Sequence, residues 1–305
     1  MMNSITVDVE EFFHPAEVSG LVPQNQWDTM PSRVEQATRR ILETFSDADI
    51  KGTFFILGWV AHRHPRLIRE IAEAGHEIGC HSYYHRLIYD LTPDEFRADT
   101  ELAVKAIADA CGIRPLAYRA PSYSITGKSL WALDVLAECG FTRDSSIYPI
   151  SHDRYGIIGY SRHAQLVATS AGPLLEIPIA TAKLPGGSVT PVGGGGYLRL
   201  LPYRYTAAGI RRLNREGHSA CIYFHPWEID KDQPRLECGF IGRLRTYTGI
   251  RGMGKKIARL LKDFSFSTAG EVFPIPSEYP LSSPNLAPPA KRPRSETSKP
   301  VRAAV

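Results

Sequence analysis

The fold prediction starts from the stretch Ser4-Ile5-Thr6-Val7-Asp8-Val9-Glu10. It is a β-rich run, and residues two apart on a strand project from the same face, so Asp8 and Glu10 share one side of it. Two acids on the inner face of an apolar strand are costly to bury unless a metal ion and a cation pair with them. The alternative is a short strand, with both acids in a solvated loop beside Glu11. The stretch alone leaves both interpretations open.

Runs of this kind alternate with helical patterns along the rest of the chain. Pro65 and Gly75 bracket one predicted helix, and Thr92 with Glu95 forms the start signal of another. The predicted strands are residues 4–10, 52–57, 76–81, 115–119, 142–147, 175–179, 219–225 and 266–272. The predicted helices are residues 33–45, 65–75, 92–112, 128–138, 206–216 and 255–263. This alternation predicts a parallel sheet, either open or closed into a barrel.

The composition is that of a globular protein. Of the 305 residues, 43% are hydrophobic and 22% are charged. The net charge of +4 comes largely from the segment after Pro276, which holds five basic and two acidic residues. The body is therefore close to neutral, and nothing in it indicates a surface that follows nucleic-acid phosphates. From residue 274 onward Pro, Ser and Ala dominate, which predicts a disordered tail over residues 274–305.

Cysteine usage and the N-terminus predict a cytoplasmic protein. The five cysteines are scattered, odd in number and without a C-x-x-C pair, a pattern typical of free thiols in a reducing compartment. The first residues lack a basic segment followed by an apolar one, so no signal peptide is predicted. No apolar run is long enough to span a bilayer. We expect a location in the cytoplasm or against the inner face of the membrane.

His81 and His85 have the spacing of a metal-binding pair. On one helical turn, residues four apart point the same way and can hold one cation. The pair follows a predicted strand, which is where α/β folds place their chemistry. Two neutral imidazoles and one carboxylate suit Zn²⁺ and leave positions for water and substrate. The ten histidines make chance pairs common, so the spacing alone is not specific.

His225 and Arg119 also stand at the ends of predicted strands. With a pKa near neutrality, His225 could protonate a leaving amine, or it could be a core histidine bonded to backbone. Arg119 could keep a catalytic carboxylate ionised, or it could form an ordinary surface salt bridge. The residues alone leave each pair of alternatives open.

Four motifs stand in order along the chain. They are Thr6-Val7-Asp8-Val9-Glu10, His81-Ser82-Tyr83-Tyr84-His85, Arg119-Ala120-Pro121 and Ile222-Tyr223-Phe224-His225. In this order they resemble the motifs of the NodB-homology polysaccharide deacetylases, carbohydrate esterase family four. Val9 stands where that family usually has a second Asp, so the metal ligand would be Glu10. Segments 144–149, 194–197 and 224–228 most resemble deacetylases associated with exopolysaccharide and exosortase gene clusters.

The resemblance implies a fold and a domain organisation. The implied fold is a distorted (β/α) TIM-like barrel with about seven parallel strands and extra short strands in the second half. The implied deacetylase domain covers residues 1–273, with a family-specific part from about residue 145. The tail after it is not covered.

The resemblance also implies a metal site and a base. Glu10, His81 and His85 would hold a divalent metal, expected to be Zn²⁺, with Co²⁺, Ni²⁺ or Mn²⁺ as alternatives. Asp8 would take a proton from the attacking water, and Arg119 would keep Asp8 oriented.

Further residues carry implied roles in the same reaction. His225 would protonate the departing amine, and the backbone amide of Ser122 or Tyr123 would stabilise the oxyanion. Tyr123, Trp227 and Tyr197 would stack on sugar rings. The family's tryptophan-bearing motif, whose Asp tunes the catalytic His, has no counterpart here, and Asp144 is the candidate for that task.

The expected function is metal-dependent removal of N-acetyl groups from an amino-sugar polysaccharide or oligosaccharide, with release of acetate. One alternative is an allantoinase-like hydrolase of a small amide or ureide. The other is a catalytically silent relative that binds glycans. An N-acetylated glycan is the expected partner, with no nucleic acid and no transmembrane segment.

Overall fold

Strand β1 lies inside a mostly parallel sheet in the computed structural model, which describes residues 1–184 and 186–275. The strands are β1 Met2–Val9, β2 Thr53–Ile56, β3 Glu77–Cys80, β4 Ala117–Tyr118, β5 Arg143–Asp144, β6 Gln165–Thr169, β7 Gly172–Glu176, β8 Thr181–Lys183, β9 Val189–Pro191, β10 Cys221–Phe224 and β11 Ser265–Ser267. The helices are α1 Val34–Asp47, α2 Gly58–Arg63, α3 Pro65–Glu73, α4 Pro93–Cys111, α5 Trp131–Glu138, α6 Gly195–Leu200, α7 Tyr203–Arg215, α8 Phe240–Tyr247, α9 Ile250–Asp263 and α10 Ala269–Val272. The predicted tail lies outside the described residues from residue 276 on.

The main sheet of the described residues has the strand order β10-β1-β2-β3-β4-β5-β7-β6. The seven strands from β10 to β7 pair in parallel, and β6 is antiparallel to β7. Strand β11 pairs with the start of β1, and β8 and β9 form a separate hairpin. Beyond β7, the amide of Ala180 donates to the carbonyl of Cys221 in β10, 3.0 Å away, so the stretch after β7 reaches the other end of the sheet. The predicted α/β fold with about seven parallel strands is confirmed.

Both faces of β1 are buried, but they differ in chemistry. Ile5, Val7 and Val9 are fully buried in the hydrophobic core that the helices cover. On the other face, Asp8 is 2% exposed, and Glu10, just past the strand end, is 1% exposed. The solvated-loop alternative is therefore wrong, and partners on this face must compensate two buried carboxylates.

Helix α4 begins and ends where its sequence signals predict. Thr92 and Glu95 form a capping box at its start, in which each side chain bonds the other residue's amide. Gly112 follows the last turn with a φ of +74°, a left-handed conformation that glycine adopts without strain.

The end of the chain differs from its prediction. The strand predicted over residues 266–272 is wrong beyond Ser267, because the Thr268 side chain accepts from the amide of Glu271 and starts α10. Helices α2, α6 and α8 were not predicted from the sequence, because six to eight residues are too few to show a clear helical periodicity.

Candidate active site

The three chemistry-bearing segments converge because their strands run in parallel. Val7 of β1 is level with Phe224 of β10, and Ile56 of β2 is level with Cys80 of β3. Cys80 is in turn level with Tyr118 of β4. The residues that follow β1, β3, β4 and β10 therefore leave the sheet at the same edge. They include Glu10, His81, Arg119 and His225.

Glu10, His81 and His85 form a cluster with the composition of a metal site. Each offers one ligand atom, and these atoms lie within 4.8 Å of one another. Glu10 Oε2 lies 2.7 Å from His85 Nε2 and 4.0 Å from His81 Nε2. This carboxylate oxygen is buried and makes no hydrogen bond of acceptable geometry to any described residue. A buried anionic oxygen facing two imidazole nitrogens fits a divalent cation, so the residues present suit the predicted metal.

The orientation of His81 is set by a backbone carbonyl. His81 Nδ1 lies 2.8 Å from Arg119 O, and since a carbonyl only accepts, Nδ1 carries the proton and Nε2 keeps its lone pair. Burial lowers the pKa of His81 to about 4, so the ring is neutral at physiological pH. A neutral imidazole with a free Nε2 is the form that binds metals.

The spacing of the His pair predicted a helical turn. In the structure the pair lies instead on a loop that is not helical. Ser82 and His85 have φ values of 68° and 54°, in the left-handed region. The buried carboxylate of Asp99, on α4, accepts from the Ser82 hydroxyl and from the amides of Tyr83 and Tyr84. The two imidazoles thus face one point because Asp99 holds a strained loop, and not because of helical periodicity.

Arg119 is fully buried and bonds Asp8. Its Nη1 donates to Asp8 Oδ1 at 2.7 Å and to Thr6 Oγ1 at 2.6 Å. Its Nε and Nη2 donate to the carbonyl and hydroxyl of Ser145, and the guanidinium lies 4.2 Å from the centre of the Phe55 ring. Burial lowers the pKa of Arg119, whereas Asp8, Tyr123 and Cys221 raise it. The net effect is a raised pKa for Arg119. The surface salt-bridge alternative is wrong.

His225 is paired with a carboxylate that the sequence interpretation missed. Its Nδ1 lies 2.9 Å from Glu228 Oε2, and Glu228 Oε1 accepts from Arg199 Nε at 2.8 Å. Burial lowers the pKa of His225, but the hydrogen bond to Glu228 and the charges of Glu228, Glu10 and Asp8 raise it to about 9. The core-histidine alternative, with a backbone partner, is wrong. The missed signal was an acid three residues after His225, in the first turn of a short 3-10 helix.

Asp144, the candidate for tuning His225, lies elsewhere. It accepts from the Ser146 hydroxyl and adjoins Glu176 across β5 and β7. Burial raises the pKa of Asp144, and burial together with the neighbouring Asp144 raises the pKa of Glu176. Two adjacent buried carboxyl groups resist being charged at the same time. Glu228 takes the place against His225 because it follows that residue within a single turn.

Ser122 and Tyr123, the predicted oxyanion donors, differ in their backbone bonds. Both have left-handed φ values, 52° and 54°, although neither is glycine. The amide of Tyr123 donates to Ala120 O, whereas the amide of Ser122 has no acceptor among the described residues. Strain at two adjacent residues costs about 1–3 kcal/mol each and is typical of functional sites. Of the two predicted donors, the free one is Ser122.

A cavity of about 350 Å³ opens above these groups. Trp227 donates from Nε1 to Glu10 Oε1 at 3.0 Å and stacks on His225, with ring centres 5.1 Å apart. Tyr123 and Trp227 are only 4% and 5% exposed, while Tyr197 is half-buried at the wall. The cavity is lined by all of the predicted site residues except Arg119 and Asp144, together with Pro15, Ala16, Glu17, His152, Arg154, Tyr155, Gly195, Gly196, Arg199, Leu200, Tyr223 and Arg245.

Two sequence families match successive parts of the chain. Residues 26–143 match the family described as polysaccharide deacetylase, and residues 145–274 match a domain of unknown function, DUF3473. The resemblance to polysaccharide deacetylases is thereby confirmed for residues 26–143. His81, His85 and Arg119 lie in the first match, whereas His225, Glu228 and Arg199 lie in the second.

Curated relatives match a part of the chain. A peptidoglycan-N-acetylglucosamine deacetylase of Bacillus cereus is 32% identical over 98 residues, which are 32% of this chain and 36% of that protein. A chitooligosaccharide deacetylase of a Bradyrhizobium species is 33% identical over 101 residues, 33% of this chain and 43% of that protein. The matched region thus spans less than half of the length of either relative.

Two solved structures share the fold over most of the chain. A protein of Mycobacterium smegmatis described as a polysaccharide deacetylase superposes with a TM-score of 0.66 at 21% identity, over 95% of this chain and 94% of its own. Puue allantoinase superposes with a TM-score of 0.59 at 18% identity, over 89% of this chain and 88% of its own. These likenesses support the predicted distorted barrel.

Within the part of the chain that the structure describes, no helix has both the length and the hydrophobicity needed to cross a membrane.

Proposed function

We propose that this protein hydrolyses N-acetyl groups of an amino-sugar polysaccharide or oligosaccharide and releases acetate. The proposal rests on one observation. The pair Asp8–Arg119, the cluster of Glu10 with two histidines, and the pair His225–Glu228 all meet at one cavity. These are a base, a metal site and an acid, the groups that hydrolysis of an unactivated amide requires. The match of residues 26–143 to polysaccharide deacetylases favours a glycan substrate.

Glu10, His81 and His85 would hold the divalent metal. When bound, such an ion polarises the amide carbonyl and lowers the pKa of a water molecule. Two imidazoles and one carboxylate suit Zn²⁺ first, and Co²⁺, Ni²⁺ or Mn²⁺ as alternatives. Trp227 supports the site by fixing the other oxygen of Glu10.

Asp8 is the proposed base. Asp8 Oδ1 accepts a hydrogen bond from Arg119. Asp8 Oδ2 lies 3.9 Å from His225 Nε2, on the cavity side. The guanidinium holds the carboxylate in one orientation, so that Oδ2 takes a proton from the attacking water.

Ser122 and His225 are proposed to act on the two atoms of the scissile amide. The free amide of Ser122 donates to the oxyanion that forms on the carbonyl carbon. His225 donates its Nε2 proton to the departing nitrogen, and Glu228 supports the charged imidazole through Nδ1. The amine leaves as the C–N bond breaks, and acetate retains the oxygen of water.

The cavity wall provides for a sugar ring. Tyr197 is half-buried and lines the cavity beside Gly195 and Gly196, so we place sugar stacking there. Tyr123 and Trp227 are only 4% and 5% exposed, so they offer a sugar ring little surface for stacking. We also propose that the protein acts in exopolysaccharide synthesis. Residues 1–273 are proposed to form a single functional domain.

A small amide or ureide is the second candidate substrate, favoured by the structural likeness to an allantoinase. Acetate release from N-acetylglucosamine oligomers, measured beside turnover of allantoin, separates the two. Turnover of allantoin without acetate release would contradict the glycan proposal. Metal-replete protein that binds glycans and turns over neither compound would favour the catalytically silent alternative.

A further inference from the structure

Helix α8 presents an apolar face to solvent. Phe240, Ile241 and Leu244 are 82%, 65% and 46% exposed. At 3.6 residues per turn these positions lie on one side of the helix. Three large apolar side chains on one exposed face mark an interaction surface, because folded proteins rarely leave such groups together in water.

The opposite side of α8 is anchored to the body. Thr246 is 1% exposed, and Gly242 lies close to Cys238 and to the carbonyl of Glu17. Arg199, which bonds Glu228, also donates to the carbonyls of Arg245 and Thr248 at the end of the helix. The apolar face is therefore held in a defined orientation.

The same helix forms part of the cavity rim. Arg245, on one flank of the apolar face, lines the cavity and pairs with Asp153. Glu17, against which the inner side of α8 packs, lines it too. Whatever binds the apolar face must therefore lie beside the cavity mouth.

Positive charge is concentrated in the segment that contains helix α8. Residues 231–263 contain nine Lys or Arg and three acids, Asp232, Glu237 and Asp263. Arg243, Arg251 and Lys255 are exposed and form no ion pair with any described residue. Apolar side chains flanked by unpaired cations are typical of helices that lie in the surface of an anionic bilayer.

We propose that α8 docks on an anionic lipid surface, with Phe240, Ile241 and Leu244 inserted among the acyl chains and Arg243 against the headgroup phosphates. Docking places the cavity mouth at the bilayer. The substrate class that follows is an amino-sugar glycan carried by a membrane lipid, and this consequence rests on the proposed function.

A tryptophan placed in the apolar face tests the docking. In the full-length chain, Phe240→Trp should add fluorescence that shifts to the blue with phosphatidylglycerol vesicles and is quenched by brominated acyl chains. Phosphatidylcholine vesicles should give a much smaller shift. The matched control is Leu116→Trp, because Leu116 is 47% exposed and precedes β4, at the sheet edge opposite the cavity. It should show no shift. Adding Arg243→Glu to Phe240→Trp should weaken vesicle binding by about tenfold or more.

Three results would overturn the proposal. The first is a chain that sediments with vesicles while the added tryptophan does not shift, because another segment would then be binding. The second is the absence of vesicle binding. The third is a dimer that Phe240→Ser dissociates, since the face would then be an interface between copies.

The docking and the proposed function fail separately. Phe240 and Arg243 do not line the cavity, so acetate release from a soluble oligomer should be unchanged in their variants. A fluorescence shift without acetate release would support the docking and contradict only the proposed function.

Discussion

Replacing Glu228 by Gln tests the proposed acid. Gln keeps the size of the side chain and an oxygen that can accept from His225 Nδ1, but it removes the negative charge. A hydrogen bond to a charged group contributes about 1.5–3 kcal/mol, and one pKa unit corresponds to about 1.4 kcal/mol. The pKa of His225, raised to about 9 in the native protein, should therefore fall by about 1–2 units.

The sign of the kinetic effect follows from the role of His225. An acid must be protonated to work, so activity is lost as pH rises through its pKa. Lowering that pKa should move the basic limb of kcat/KM for acetate release down by about 1–2 pH units. At pH 9 the variant should lose far more activity than at pH 6.

A second carboxylate in the same cavity supplies the control. Glu17 lines the cavity and pairs with Arg154, without contacting His225. Glu17→Gln makes the same change of charge, and its basic limb should stay where it is. If Glu228→Gln lowered kcat at every pH and left the limb in place, Glu228 would be a structural support and our assignment of the acid would be wrong.

Four further changes have distinct expected results. Asp8→Asn should lower kcat by about 10²–10⁴-fold and leave the metal content measured by mass spectrometry unchanged; full activity would show that Asp8 is not the base. His81→Ala should lose the metal in the same measurement, and retained stoichiometric metal would contradict its assignment as a ligand. Asp99→Ala should weaken metal affinity by about 10–100-fold in a competition titration, because the loop carrying His85 loses its anchor; unchanged affinity would refute that explanation. Glu176→Gln should reduce the fall in melting temperature between pH 6 and pH 9, because burial and Asp144 raise the pKa of Glu176 and the native pair loses stability as pH rises through its raised pKa. An unchanged fall in melting temperature would show that the Asp144–Glu176 pair does not titrate between pH 6 and pH 9.

The strand ends show how far local patterns reach. The runs that precede Glu10, His81, Arg119 and His225 were identified as strands, and each is a strand in the structure. Parallel pairing then brings their ends to one edge. The boundaries differ by a few residues because hydrogen bonding between strands, which no single segment encodes, decides where pairing stops.

The short helices show where local patterns fail. Helix α8 carries the exposed apolar face, yet its eight residues include Gly242 and offer barely two turns of periodicity. Its stability depends on a hydrogen bond from Arg199, which lies in a distant segment. It also depends on packing against Cys238, across the turn that precedes the helix. Propensity is a weak guide when tertiary contacts hold an element in place.

By itself, the sequence determined most of the parallel strands and the longer helices, the four motifs, and the residues that stand at one edge of the sheet. These features depend on periodicity, on caps and on spacing, all of which are local. Only the tertiary structure decided that Glu228 and not Asp144 pairs with His225, and that the amide of Ser122 and not Tyr123 is free. It also showed that a loop held by Asp99, and not a helical turn, aims the His pair. The physical reason is that a hydrogen bond requires two atoms within about 3 Å, and which atoms meet is set by packing between segments far apart in the chain.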